Sequence, residues 1–308
     1  MKMEYPSKLQ QILSKGEFAV TTECGPPRGA NADVVIKKGE TLKGYVDAVN
    51  VTYNQTAIVR MSSISACAHL LNIGLEPVMQ MVTRDRNRIA LQSDILGAYS
   101  LGIRNILCLS GDHQIFGSQP DALNVFDIDS MNLIRTVETM RNEGKDMSGF
   151  ELKGPPKMFI GAAANPFADP FEFRVVRLAK KIDSGADFIQ TQCVYNMERF
   201  TEWMKLAREE GLTEKVQILA GVTPLKSIGM ARYMSKKVAG IDIPEAIIKR
   251  MAGVPKEKAI DEGIKICLDT IAELQDIKGV RGVHIMAIEW EEKVGEIVES
   301  AGLLPRPL

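Results

Sequence analysis

The sequence lacks several features that mark specialised classes of protein. Its 308 residues contain no apolar run of roughly 18 residues, so we expect no membrane-spanning helix. Basic and acidic residues nearly balance, at 38 and 39, and the chain has no electrostatic signature of nucleic-acid binding. Hydrophobic residues make up 45% and charged residues 25%, a composition that predicts a globular protein with a large core.

Cysteine and histidine are also scarce. The five cysteines are scattered, without a C-x-x-C pair, and their odd number predicts a reducing compartment rather than a disulfide framework. They are Cys24, Cys67, Cys108, Cys193 and Cys267. The histidines are too dispersed for a metal motif, so we expect no metal site; His69 and His284 are interpreted as structural. Residues 1–17 lack the apolar core of a signal peptide, and we expect a cytoplasmic protein.

A repeated alternation of strand-like and helix-like segments is the main pattern that the sequence does contain. Eight short runs rich in apolar and β-branched residues predict strands. The runs are Phe18–Glu23, Ala48–Tyr53, Pro77–Val82, Asn105–Ser110, Met158–Ala163, Phe188–Gln192, Val216–Gly221 and Val283–Glu289. Apolar residues at helical spacing predict helices at Arg88–Leu101, Pro170–Ile182 and from Ile260 to Ile271. Glycines that lead into the next strand are placed to end helices, at Gly74, Gly102, Gly185 and Gly211.

The alternation predicts a single (β/α)8 TIM barrel that spans residues 1–308. Strands that alternate with helices form parallel sheets, and eight such units in about 300 residues fit a closed barrel. Ala239–Ala259 lengthens the last connection and is predicted to add a helix. A doubly wound open sheet is the alternative, but it normally has a Gly-x-Gly-x-x-Gly turn after strand one, where this chain has ECGPPRG.

Polar side chains fall at the carboxyl ends of the predicted strands, where barrel enzymes carry out their chemistry. Glu23 ends strand one and is a candidate general acid; the alternative is an ion pair with a neighbouring lysine or arginine. Asp112 follows strand four in a Ser-Gly-Asp turn, and its alternative role is a helix N-cap. Cys24 could be a nucleophile, but a semi-buried thiol is the simpler interpretation. The other polar residues of this ring are Thr52, Gln80, His113, Asn165, Gln190, Gln192, Thr223 and Glu289.

Long segments of the chain resemble the methylenetetrahydrofolate reductase family. The likeness rests on VTTECGPP, AVNVTY, TRDRNRIALQSDILGAYSLGIRNILCLSGDH, GAAANP and KKIDSGADFIQTQ, which extend over most of the chain and fall at the predicted strand ends. The resemblance implies a barrel that binds a flavin, FAD or FMN. It also implies hydride transfer from the reduced flavin to 5,10-methylenetetrahydrofolate, which gives 5-methyltetrahydrofolate.

The resemblance implies roles for individual residues. Glu23 matches the family's catalytic glutamate, which helps to protonate N10 and open the five-membered ring of the folate. Asp112 matches an aspartate near flavin and pterin, whose charge would stabilise the 5-iminium cation. Gln192 matches a glutamine that holds the folate. The flavin-contacting positions would be Thr52, Gln80, Ser110, Asp112, His113, Ala163 and Lys181, with Arg174 and Arg177 either meeting a flavin phosphate or facing solvent.

Some positions depart from the NAD(P)H-using members of that family. Ile228 occupies the substrate-contacting position where those members carry a stacking aromatic residue, and Ile288–Glu291 replaces a polar end of strand eight. With Gly111–Gly117 and Phe126–Ser130, these features resemble a branch of anaerobic one-carbon metabolism, whose reductase pairs with an iron-sulfur and zinc-bearing partner subunit. The electron donor and any homo-oligomer are left open. The alternatives are a flavin-binding subunit of an electron-transfer complex and a pterin-binding methyltransferase barrel without flavin.

Overall fold

The eight strands form one closed barrel. In the computed structural model, which describes residues 6–307, every strand pairs in parallel with its sequence neighbours, and the last strand closes onto the first. The predicted (β/α)8 barrel is therefore confirmed, and the open sheet is excluded. Residues 1–5 and 308 lie outside the described range, and with them part of the N-terminal segment considered above. The strands are Ala19–Cys24 (β1), Ala48–Val51 (β2), Pro77–Val82 (β3), Asn105–Leu109 (β4), Phe159–Ala164 (β5), Phe188–Cys193 (β6), Gln217–Val222 (β7) and Val280–Ile285 (β8).

Most helices connect the strands and cover the outside of the barrel, whereas the first precedes β1. They are Lys8–Ser14 (α1), Ala32–Leu42 (α2), Ser63–Asn72 (α3), Arg88–Ser100 (α4), Ser130–Asn142 (α5), Phe173–Asp183 (α6), Met197–Glu209 (α7), Ile228–Lys237 (α8), Glu245–Ala252 (α9), Ala259–Gln275 (α10) and Val294–Ser300 (α11). α9 is the helix predicted within the insertion, and the four glycines expected at helix ends all adopt positive φ. Across residues 6–307, no helix combines the length and the apolarity needed to cross a membrane.

Strand eight differs from its prediction. β8 begins earlier than expected and ends at Ile285, so the predicted end at Glu289 is wrong. After the strand the chain turns, because Ile288 and Trp290 donate their N–H groups to carbonyl oxygens two and three residues earlier. Glu289 has a φ of 48° and an exposed side chain. The apolar run that looked like strand therefore continues into a turn at the barrel mouth.

Two other boundaries shift by two or three residues. β2 ends two residues earlier than predicted, at Val51, because the chain turns through Asn54, which adopts a φ of 40°. α6 begins three residues later than predicted, at Phe173, because a turn precedes its first residue. Both shifts lie at the carboxyl-end face of the barrel, where the loops carry most of the predicted site.

The interior of the barrel changes from apolar to polar along its axis. At the amino ends of the strands, Leu9, Ile12 and Leu13 of α1 pack beneath a layer of inward-facing apolar side chains. That layer consists of Ala19, Ala48, Val78, Leu107, Phe159, Phe188 and Leu219. Gly161 makes room for Phe188, because a Cβ at Gly161 would lie 2.3 Å from the ring. Farther along the axis, the buried side chains are polar and form the floor of a pocket: Thr21, Asn50, Gln80, Gln190 and His284.

Candidate active site

A cavity of about 490 Å³ opens where the carboxyl ends of the strands meet. Its lining combines polar groups with a few leucines, which suits a ligand that is partly aromatic and partly charged. The polar residues Asn165, Gln190 and His284 contribute to its wall. Seven residues of the predicted site line this cavity: Glu23, Gln80, Ala163, Arg174, Arg177, Lys181 and Gln192.

Glu23 contributes the carboxyl group of this cavity from β1. Its side chain is 18% exposed, and its Oε1 lies 3.5 Å from Gln80 Nε2 and 3.7 Å from His284 Nε2. Within residues 6–307 no lysine or arginine forms an ion pair with Glu23, so the simple ion-pair alternative does not apply. A carboxyl group that is half-buried, loosely held and open to a cavity can exchange a proton with a bound ligand.

A chain of buried polar side chains lies beneath Glu23. Asn50 and Gln190 exchange two amide hydrogen bonds, of 2.6 and 3.0 Å. Gln190 Nε2 also donates to Thr21 Oγ1 at 3.1 Å, and this hydroxyl lies 2.9 Å from His284 Nδ1. All four residues are at most 3% exposed. Because each bond satisfies a buried polar group, the chain fixes the imidazole ring below the carboxylate.

α6 brings three basic side chains to one wall of the cavity. Lys181 donates to the carbonyl oxygen of Ala163 at the end of β5, and Arg174 donates to the carbonyl oxygen of Pro170 at 3.2 Å. Burial, followed in size by the charge of Arg177, lowers the pKa of Lys181 to about 8. A cation that is costly to bury without a counter-charge is suited to bind an anion such as a phosphate.

A smaller cavity of about 180 Å³ also has Glu23 in its lining. Thr52, one of the predicted flavin contacts, lines this cavity and is 3% exposed. Its hydroxyl has no hydrogen-bond partner within the part of the chain that the structure describes. Arg60 lines the same cavity and donates to the carbonyl oxygen of Pro26 at 2.9 Å. A buried hydroxyl without a partner beside a carboxyl group indicates a position that contacts a ligand.

The loop after β4 carries Ser110, Asp112 and His113 outside the lining of both cavities. Asp112 and His113 are exposed, and Ser110 is half-buried. Glu23 and Gln192 therefore share a cavity, whereas Asp112 does not line it. The role predicted for Asp112 stays a prediction.

The local structure of that turn accounts for its shape. Gly111 adopts a φ of 90°, as expected for a turn that brings backbone close to its neighbours. Arg84 donates to the main-chain carbonyl of Asp112 at 2.9 Å. His113, and not Asp112, caps the short helical turn that follows, because its Nδ1 accepts the N–H of Ile115 at 3.3 Å. The N-cap interpretation of Asp112 is therefore wrong.

Ile228 and Cys24 lie outside the lining of the larger cavity. Ile228 begins α8, is half-buried against an apolar cluster formed with neighbouring elements, and lines neither cavity. Burial, followed in size by the charge of Glu291, raises the pKa of Cys24 to about 12. Its thiol stays protonated at neutral pH, which favours the interpretation of Cys24 as a small buried side chain.

His284 is the residue of this site that sequence reasoning missed. The sequence indicated a structural histidine, yet its ring borders the cavity and faces Glu23. Alternation along β1 places Thr21 and Glu23 on the same face of the strand. The register of β1 against β8 then pairs Thr21 with His284. The first signal is present in the sequence, whereas the second requires the pairing of the two strands.

Comparison with known proteins gives a consistent family match. The family model of methylenetetrahydrofolate reductase matches residues 8–302. A protein named probable methylenetetrahydrofolate reductase (NADPH), from Caenorhabditis elegans, is 23% identical over 96% of this chain and 44% of its own length. A 5,10-methylenetetrahydrofolate reductase from Pectobacterium carotovorum is 22% identical over 96% of this chain and 95% of its own length. The chain spans less than half the length of the first curated relatives that it matches, which are eukaryotic.

Two solved structures share the architecture. An uncharacterized protein from Clostridium thermocellum that binds two copies of 5-methyl-5,6,7,8-tetrahydrofolic acid superposes with a TM-score of 0.66 at 15% identity. The superposition covers 97% of this chain and 100% of that one. An oxaloacetate acetylhydrolase superposes with a TM-score of 0.52 at 12% identity, over 92% of this chain and 82% of that one. At these identities the likeness shows the barrel fold alone.

Proposed function

This chain belongs to the methylenetetrahydrofolate reductase family, and we propose that it reduces 5,10-methylenetetrahydrofolate to 5-methyltetrahydrofolate with a bound flavin. The observation that carries the proposal is one cavity that contains both the half-buried carboxyl group of Glu23 and the basic wall of α6. The Clostridium thermocellum neighbour that binds a methylated tetrahydrofolate supports this class of substrate.

The residues around the two cavities that share Glu23 fit a flavin. Lys181, with Arg174 and Arg177, suits a flavin phosphate, whether of FMN or of FAD. The hydroxyl of Thr52, which has no partner in residues 6–307, and the amide of Gln80 suit the polar edge of the isoalloxazine ring. When it is bound and reduced, the flavin supplies the hydride that the methylene carbon takes up.

Glu23 is the proton donor in this proposal. Its O–H gives the proton to N10 of the folate as the bond between N10 and the methylene carbon breaks, which leaves a positive charge shared by N5 and that carbon. The carbon then accepts a hydride, with its two electrons, and becomes the methyl group. The charge added by the proton is cancelled by the hydride. The chain's own task is to hold the substrate, deliver one proton and stabilise charge.

Two further side chains are proposed to act on the folate: one orients its pterin ring, and the other stabilises the positive charge of the cationic intermediate. Gln192 lines the same cavity as Glu23, and its amide can both donate to and accept from the amino-pyrimidine edge of the pterin. Asp112, exposed on the turn after β4, is proposed as the negative charge that stabilises the cationic substrate. Ser110 and His113 on the same turn are proposed to contact the flavin.

A single-turnover experiment tests the proposed function. The purified protein, loaded with flavin and photoreduced without oxygen, is mixed with 5,10-methylenetetrahydrofolate. We expect the oxidised-flavin absorbance to return as 5-methyltetrahydrofolate forms. Glu23→Gln is expected to bind flavin normally but to react at least about 100-fold more slowly. Wild-type turnover in this variant would remove Glu23 from the mechanism, and a protein that binds folate but no flavin would indicate the methyltransferase alternative.

A second candidate function is a flavin-binding subunit of an electron-transfer complex. The loop between β4 and α5 exposes Ile115, Phe116 and Leu123 by 62%, 71% and 93%. Large apolar side chains exposed together favour contact with another protein. In this function the isolated chain carries flavin but receives electrons only with an iron-sulfur partner, so copurification with such a protein would support it. The alternative is that a second copy of this chain contacts the loop. Sedimentation of the isolated chain distinguishes a homo-oligomer from a monomer that needs a different partner.

A further inference from the structure

We propose that His284 is a positioning residue for Glu23. In this inference, buried hydrogen bonds hold the His284 ring as its neutral Nε2–H tautomer. The Nε2–H group then stabilises the Glu23 carboxylate once Glu23 has given up its proton. The catalytic part rests on the proposed function, whereas the tautomer rests on geometry alone.

The donors and acceptors of these buried hydrogen bonds can be assigned in order, beginning with Gln190. Its Oε1 accepts from Asn50 Nδ2 at 2.6 Å, so its Nε2 is the donor group. The two hydrogens of that Nε2 reach Asn50 Oδ1 at 3.0 Å and Thr21 Oγ1 at 3.1 Å. The Thr21 hydroxyl therefore accepts from Gln190 and retains its own hydrogen to donate.

His284 Nδ1 is the better acceptor for that hydrogen. It lies 2.9 Å from Thr21 Oγ1, whereas the carbonyl oxygen of Val283 lies 3.5 Å from the same hydroxyl. Gln190 Nε2 lies 3.3 Å from Nδ1, but its two hydrogens are directed to Asn50 and Thr21. A proton on Nδ1 would instead donate to Thr21 Oγ1, and the hydroxyl hydrogen would then have only the distant carbonyl oxygen of Val283 as its acceptor. The single proton of the neutral ring therefore belongs on Nε2.

Nε2 is the ring nitrogen that faces Glu23. The distance from Nε2 to Glu23 Oε1 is 3.7 Å, and Gln80 Nε2 approaches the same oxygen to 3.5 Å. Both distances exceed those of strong charge-assisted hydrogen bonds, which measure about 2.7–2.9 Å. A small rotation of Glu23 toward these donors therefore makes both bonds, and a carboxylate gains more from them than a protonated carboxyl group does. The arrangement favours the state of Glu23 that follows proton transfer.

Nitrogen NMR tests the tautomer directly. The chain has three histidines, so a protein labelled with ¹⁵N-histidine gives few signals, and His69→Gln and His113→Gln identify the other two. At neutral pH we expect His284 to show an unprotonated Nδ1 and a protonated Nε2. Thr21→Val removes the hydroxyl donor and is expected to change the Nδ1 shift, whereas the control Thr21→Ser retains it.

Kinetics test the consequence for Glu23. In the single-turnover reaction, His284→Leu keeps an apolar side chain in the space of the ring but removes the N–H group. We expect its rate at saturating folate to fall about 10- to 100-fold, the loss expected for one hydrogen bond to a charged group. Flavin affinity and half-saturation by folate should stay within about twofold of wild type. His284→Gln, which restores an N–H donor, should recover most of the rate.

The outcomes separate this inference from the proposed function. If the wild-type flavin is not reoxidised by the folate, the proposed function fails and the NMR result still decides the tautomer. If the wild type reacts but His284→Leu matches it, or His284→Gln is no faster than His284→Leu, the positioning role is overturned. A protonated Nδ1 or an imidazolium at neutral pH overturns the inference even if the leucine variant does not fold.

Discussion

Lys181, which we propose as a contact of the flavin phosphate, makes the proposed flavin binding depend on pH. Its pKa of about 8 in the ligand-free protein means that it is charged at pH 7 and largely neutral at pH 9. A bound phosphate favours the charged form, so binding takes up a proton in this range. We predict that flavin affinity falls as pH rises above 8, by up to about tenfold per pH unit. Fluorescence titrations of flavin between pH 7 and 9.5 measure this slope.

A matched variant separates the charge of Lys181 from other pH effects. Lys181→Arg keeps a positive charge throughout this range, because a guanidinium does not lose its proton in proteins. Its affinity is expected to change little between pH 7 and 9.5. An equally steep slope in the arginine variant would show that another group controls flavin binding.

Residue types at strand ends were enough to find part of the site, but not its contacts. Glu23 and Gln80 follow from their positions and from the family resemblance, Lys181 follows from the resemblance alone, and all three line the cavity. The partner of Glu23 does not follow, because His284 is 261 positions away in the chain and meets it only through closure of the barrel. The place of Asp112 does not follow either, because a turn residue can face the cavity or the solvent with the same sequence.

Packing between β5 and β6 leaves no room for a side chain at Gly161 in β5. A Cβ there would lie 2.3 Å from the Phe188 ring of β6, and that ring stacks on Phe159 at 4.9 Å in the apolar layer. We predict that Gly161→Ala destabilises the protein by about 1–3 kcal/mol, because the ring must shift within a filled interior. Urea denaturation of the flavin-free protein measures the change.

Gly97 provides the control for that substitution. It lies within α4, and a Cβ there would meet no atom within 4 Å apart from the neighbouring backbone of its own helix. Gly97→Ala is therefore expected to stabilise the protein by about 0.5–1 kcal/mol, through lower backbone entropy of the unfolded chain. Similar destabilisation in both variants would contradict the argument from packing.

Arg84 connects three loops at the mouth of the barrel. Its guanidinium group is almost completely buried and binds both carboxylate oxygens of Asp85, at 2.6 and 2.7 Å. It also donates to the main-chain carbonyls of Asp112 and Asn54, at 2.9 and 3.4 Å. We predict that Arg84→Met costs about 1.5–3 kcal/mol of stability. Hydrogen exchange should accelerate at residues 53–57 and 110–126, which these bonds hold.

Arg88, the last arginine of the same TRDRNR segment, serves as the comparison. Arg88 pairs with Asp127 at 2.8 Å, but its side chain is half exposed. Arg88→Met is therefore expected to leave exchange in the Asn54 and Asp112 loops unchanged, since exposed pairs contribute little. If both variants loosen these loops equally, or neither does, Arg84 does not hold them.

The bounds of a strand could be predicted where residues such as proline, glycine or polar side chains mark its ends in the sequence. β3 has its predicted bounds, because Pro77 opens the apolar run and a polar segment follows Val82. β8 does not, because VHIMAIE is apolar across the true strand end at Ile285 and contains no glycine or proline to mark the turn. Alternation of side chains describes a strand well, whereas the point where it leaves the sheet depends on which neighbour it pairs with.

At the scale of the whole molecule, the chain matches the bacterial relative over nearly its full length and the eukaryotic relatives over less than half of theirs. The match to the family model covers residues 8–302, which is almost the same range as the barrel and its helices. We therefore propose that residues 1–308 act as one barrel domain, and that the residues needed for flavin and folate lie within it.

The residues that line the larger cavity help to predict which electron donor reduces the proposed flavin. Among the residues described, those that line it include no phenylalanine, tyrosine or tryptophan, and Ile228 lies outside it. A nicotinamide ring would therefore lack a stacking contact with a Phe, Tyr or Trp side chain, which is worth about 0.5–1.5 kcal/mol. We predict that NADH and NADPH bleach the flavin of the isolated chain slowly, and that reduced ferredoxin does so rapidly when an iron-sulfur partner is added. Anaerobic titrations followed by flavin absorbance measure both, and stoichiometric bleaching within seconds by either pyridine nucleotide would contradict the prediction.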